Sequence, residues 1–65
     1  MNKNEFLSAL EKELRGLPRE DIEERLDFYS EIIDDKIEDG LSEEEAVAEL
    51  GPVGKIAEQI VAKTP

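Results

Sequence analysis

Three breaks, Gly16-Leu17-Pro18, Gly40-Leu41-Ser42 and Gly51-Pro52, constrain this chain more than any other feature. Glycine ends a helix in a left-handed turn, and proline is tolerated where the next helix begins. The breaks cut the chain into four short segments. Each repeats its apolar residues with a helical period, and none alternates with a period of two over a useful length. The expected architecture is all-α: a small four-helix domain with one long central helix, about 18–39, packed by helices about 3–15, 43–50 and 52–63.

Within the first segment, Asn2 and Glu5 match a capping box, and Phe6, Leu7, Leu10 and Leu14 share one face. Pro18 is expected in the first turn of the second helix, where its missing N–H is harmless. Along that helix Ile22, Leu26, Tyr29, Ile33 and Ile37 fall in a stripe about 80° wide. Its opposite face is a ladder of carboxylates, Glu20, Glu24, Asp27, Glu31, Asp34, Asp35 and Glu38. Arg25 and Lys36 flank the stripe, where their stems can lie over it. Phe28 and Ile32 occupy the other shoulder, beyond the stripe. Ser42 and Glu45 form a second capping box, with Ala46, Val47 and Leu50 facing inward, and Pro52 opens a last helix bearing Val53, Ile56, Ala57, Ile60 and Val61.

At 65 residues there is room for one domain, and 25 apolar residues allow a modest core with little surplus stability. The absence of Cys and His removes disulfides, thiolate nucleophiles, Ser–His pairs and the usual zinc ligands. No signal peptide is recognisable, and no run approaches the roughly 20 apolar residues of a membrane span. An intracellular location is expected, and the close at Lys63-Thr64-Pro65, just after a helical pattern, suits a domain boundary.

Charge is the remaining informative quantity. Residues 20–49 hold 14 acids and 2 bases, whereas the other 35 residues hold 4 acids and 6 bases. A chain with this balance lacks the cations that nucleic-acid phosphates require, and its field repels an anionic membrane surface. Carboxylate pairs are so abundant that their spacing nominates no acid–base pair, which would need environments that separate two pKa values. Asp35, Asp39 and Gly40 match three positions of a calcium loop, but Ile37 and Ala46 stand where oxygen donors are needed. Gly51-Pro52-Val53-Gly54-Lys55 resembles a phosphate loop, yet Glu49 replaces the leading glycine and Ile56 the hydroxyl residue. A turn between helices accounts for it. No motif calls for a cofactor or a metal.

The order of motifs resembles the HAAS (helical, alpha-alpha superhelix) domain. The opening MNKNEFLSALEKELRGLP, the middle DFYSEIIDDKIEDGLSEEEAVAELG and the closing IAEQIV carry the similarity. It covers nearly the whole chain and rests on helix punctuation and core positions, so it argues fold better than activity. The resemblance implies the N-terminal cytoplasmic part of bacterial membrane proteins grouped as domain of unknown function 1700. Transmembrane helices would follow it, and its genes are associated with PadR-like transcriptional regulators. It implies no catalytic or ligand residues.

The expected function is a non-enzymatic protein-interaction and signalling module on the cytoplasmic side of the cell membrane. Its partner would dock a basic patch against Glu20, Glu24, Asp27 and Glu31, or against the corner Glu43, Glu44 and Glu45. The alternative is a small-molecule or divalent-cation sensor using the acidic corner between the second and third helices. Phe28 and Ile32 are expected to support at most a weak homodimer, opposed by two net charges of -10.

Overall fold

The computed structural model describes residues 1–63; Thr64 and Pro65, at the expected domain boundary, lie outside them. Among the described residues four helices and no strands occur: α1, Lys3–Glu13; α2, Arg19–Glu38; α3, Glu43–Leu50; and α4, Val53–Lys63. The all-α four-helix reading holds.

The ends of these helices show how local chemistry sets them. Asn2 Oδ1 accepts the Glu5 N–H at 2.8 Å and Glu5 Oε1 accepts the Asn2 N–H at 2.9 Å, closing the first capping box. Ser42 and Glu45 repeat it at the start of α3. At the end of α2, the Leu41 N–H donates to Lys36 O and the Gly40 N–H to Ile37 O, the paired bonds of a Schellman motif. That motif needs a left-handed residue, and Gly40 supplies it at φ 108°.

Three boundaries differ from the sequence reading. The first helix ends at Glu13 instead of Arg15, because Leu14 leaves the helical region and the chain tightens into three-residue turns, Arg15 N–H to Lys12 O and Leu17 N–H to Leu14 O. Pro18 is the N-cap of α2 and not its first helical residue; its ψ of 143° is extended, while its carbonyl accepts the Asp21 and Ile22 N–H groups. Pro52 likewise precedes α4, its carbonyl accepting from Lys55 and Ile56.

The core is shared by all four helices. Phe6, Leu10 and Leu14 come from α1 and its cap, Ile22 and Ile33 from α2, Ala46 and Val47 from α3, and Ile56, Ala57 and Ile60 from α4. Although α2 is the longest helix, among the described residues α1 is the one with extensive contacts to all three others. The central position expected of the second helix therefore belongs to the first, which supplies the three most deeply buried large side chains alongside Ile33.

Length explains the other departure. Twenty residues make α2 roughly 30 Å long, whereas the eleven of α1 reach about 16 Å. The two run antiparallel, with Lys3 at the start of α1 ion-paired to Asp34. Ile37 thus lies about one turn past the start of α1 and is 38% exposed, although the stripe of α2 points it inward. Leu26 and Tyr29 are half-buried, and the Tyr29 ring meets Phe6 edge-to-face at 6.3 Å.

Candidate functional site

The carboxylates singled out in the sequence are all exposed, but the fold divides them. Glu20, Glu24, Asp27 and Glu31 lie along α2; Glu43, Glu44 and Glu45 form the first turn of α3. At the α3 corner two of the three have intramolecular partners. Glu43 Oε1 accepts the Lys3 N–H at 3.1 Å, capping a neighbouring helix across the fold. Glu45 accepts the Ser42 N–H, and this bond, reinforced by one from the Ser42 hydroxyl, holds its carboxyl below the ordinary value. Glu44 instead rims a mostly apolar groove of about 510 Å³ between α1, α3 and the turn into α4, with Met1, Ala9, Val47 and Val53 on its walls.

Among the described residues three ion pairs link the helices, and all three share a pattern. Lys3 Nζ reaches Asp34 at 2.8 Å, Arg19 reaches Glu11 at 2.6 Å, and Lys36 Nζ reaches Glu49 at 2.8 Å. Each ties α2 to α1 or to α3. The Glu11 carboxylate, through its hydrogen bond and then its charge, raises the Arg19 guanidinium further above its ordinary value. Further cations gather near the α1–α2 turn, where Lys12, Arg15 and Arg19 border a recess with Ser8 and Ile22.

The flank of α2 facing α4 is different. A groove of about 570 Å³ runs there, lined by Asp21, Glu24, Asp27 and Glu31, with Phe28 and Ile60 as its apolar surface and Arg25 and Lys63 at its edge. Among the described residues none of its four carboxylates takes part in an ion pair. Phe28 is 51% exposed, and its ring is steadied by an edge-to-face contact with Tyr29 at 5.1 Å. Because Tyr29 also meets Phe6, an exposed aromatic is held in place from the core. Ile32, one turn along, is half-buried.

Spacing makes this flank electrostatically tense. Glu23, Asp27, Glu31 and Asp35 follow one another at four-residue intervals, and like charges at that spacing destabilise a helix by about 0.2–0.5 kcal/mol per pair. Sequence reasoning found Glu24, Asp27, Phe28 and Glu31 but missed Asp21, Arg25, Ile60 and Lys63. Asp21 was within reach, since 21, 24, 28 and 31 trace one helical strip. The α4 residues were not, because nothing in the pattern of α4 says which flank of α2 it leaves open.

Among the described residues no group of three or more Asp or Glu side chains is arranged to hold a metal ion. No described helix is long and apolar enough to cross a membrane.

The family model for HAAS matches residues 5–59, which includes every core position except Ile60 and every groove residue except Ile60 and Lys63. The chain belongs to the HAAS family. The HAAS domain is a helical signalling and protein-interaction module, and the family is non-catalytic. No curated protein matches this HAAS chain, and no solved structure does.

Proposed function

We propose that this HAAS domain is a non-enzymatic docking module that presents the acidic flank of α2 to a basic surface on a protein partner. One observation carries the reading. Asp34 of α2, Glu11 of α1 and Glu49 of α3 are paired across helices, while Asp21, Glu24, Asp27 and Glu31 have no ion pair among the described residues and line a groove with an exposed aromatic. Repulsion along this flank works against the fold, and a partner of opposite charge would relieve it. Glu20 extends the same flank by one turn. The α3 corner is the weaker candidate, because Glu43 and Glu45 already hold helix ends.

The partner is a PadR-like transcriptional regulator, and the module works at the cytoplasmic side of the cell membrane, held there by segments outside this chain. The resemblance of the sequence supports both statements, and the basic DNA-binding surface of a regulator supplies the complementary field. Complementary fields act chiefly on the rate of encounter. The test is the association rate of the purified PadR-like regulator from the same genome with Glu24→Lys/Glu31→Lys. A fall of more than about tenfold at low salt, shrinking as salt is raised, is the expected result. An unchanged rate would reduce these carboxylates to a solubility role.

A further inference from the structure

We infer that the α2–α4 groove is the seat of one basic amphipathic helix of two to three turns, an inference that rests on the docking reading above and specifies its partner. The groove has the two parts such a ligand requires. Its apolar lining is chiefly the half-exposed Phe28 ring, joined by the small accessible edge of Ile60, a residue otherwise buried in the core. Its rim is acidic, with Asp21, Glu24, Asp27 and Glu31 outnumbering Arg25 and Lys63. From residue 21 to residue 31 the rim rises about 15 Å, the length of a ten-residue helix.

Packing favours a helix over other backbone forms. α1 contacts both α2 and α4, whereas α2 and α4 make little contact with each other along the groove. A further helix can therefore lie between the ridges of α2 and α4, in the manner of helix-on-helix packing. Apolar residues at i, i+4 and i+7 would seat on and around the Phe28 ring, and Lys or Arg on the adjoining faces would meet the acidic residues. A second copy of this chain is the poorer occupant. Apposing two α2 flanks sets unpaired carboxylates against unpaired carboxylates, and each chain carries a net charge of -10. The apolar groove by Met1 and Val53 has no such charge signature to name its occupant.

The probe is a synthetic 14-residue peptide with Leu at i, i+4, i+7 and i+11 and Lys and Ala elsewhere. Its scrambled isomer, of identical charge, is the control. Binding to the full chain is measured by calorimetry, and the site is mapped by amide chemical shifts. The inference expects the patterned peptide to bind at least about tenfold more tightly than the scrambled one, with shifts concentrated at Glu24, Phe28, Glu31 and Ile60. Phe28→Ser should remove that tenfold preference, and Lys63→Glu should tighten binding. Because Phe28 is half exposed, Phe28→Ala serves as a second variant should the serine perturb the fold.

Equal binding of the two peptides, or shifts clustered at Met1, Val47 and Val53, would overturn the inference. So would a Phe28-dependent dimer, seen by sedimentation in high salt without peptide. If the inference fails while the regulator still loses its association rate on Glu24→Lys/Glu31→Lys, the docking reading stands with a partner surface that is not a helix. If the peptide binds as expected and the regulator is indifferent, the partner assignment fails alone.

Discussion

The two flanks of α2 carry the same residue type and end up in opposite states. Toward α1 and α3, acids of the interface meet a lysine or arginine from the neighbouring helix, and Ile22 and Ile33 are buried beneath them. Toward α4, four carboxylates stand unpaired around a half-exposed phenylalanine. Composition cannot tell these flanks apart; the placement of eight cations along the chain does. The lesson is that an acidic helix is not uniformly a solvated surface. Where the fold supplies counter-charges the acids tie helices together, and on the side facing α4 the four groove carboxylates have no such partner among the described residues.

The largest effect that sharpens this contrast comes from the two phenylalanines. Phe6 is fully buried and Phe28 half exposed. Phe6→Ala should lose about 3–5 kcal/mol, which rivals the whole stability of a domain this size. Circular dichroism should then show little residual helix at 37 °C. Phe28→Ala should stay within about 1 kcal/mol of the parent by urea titration.

Next in size are the helix caps, which belong to the structural side of the comparison. Ser42→Ala removes an acceptor from the α3 capping box and should lower stability by about 1 kcal/mol, read as a fall of about 4–8 °C in the melting midpoint. Glu45 adds a dependence on pH. Its carboxyl is held below its ordinary value by the bonds from Ser42, so its contribution is present above the unfolded-state value of about 4.3 and is lost as pH falls through the lower folded value. Gln keeps the geometry of the box without titrating. Below about pH 4 the parent should therefore lose stability more steeply than Glu45→Gln in parallel melts.

Single surface charges should have the smallest effects, and their signs should differ between the flanks. Asp34→Asn breaks the pair with Lys3 and should destabilise by up to about 0.5 kcal/mol. Asp27→Asn relieves repulsion from Glu23 and Glu31 and should stabilise by a similar amount. Raising salt from low to physiological should lift the melting midpoint, with a smaller rise in Asp27→Asn, because screening removes repulsion that this variant already lacks. A falling midpoint would mean that the ion pairs outweigh the ladder.

How much of this was legible in the sequence follows from what each signal depends on. The helices and both capping boxes were, since Asn2, Glu5, Ser42 and Glu45 act within three residues of one another. Helix ends were legible to within two residues; the prolines were placed one position too far inside, because an N-cap proline and a first-turn proline leave the same mark on a sequence. Periodicity identified the faces of α2, but not where the partner helices stop, which is why Ile37 was expected in the core and emerged at its edge. The acidic strip and Phe28 were found on α2 alone. Ile60 and Lys63 were not, since the groove exists only through the way α1 holds α4 apart from α2.

The central claim is that Phe28 serves docking and not folding, and one variant tests both halves at once. Phe28→Ser should melt within about 4 °C of the parent, as expected for a loss below about 1 kcal/mol, and should lose at least about tenfold in affinity for the basic amphipathic peptide. A collapse of the melting midpoint would place Phe28 in the core, and unchanged affinity at an unchanged midpoint would leave the α2–α4 groove without a role.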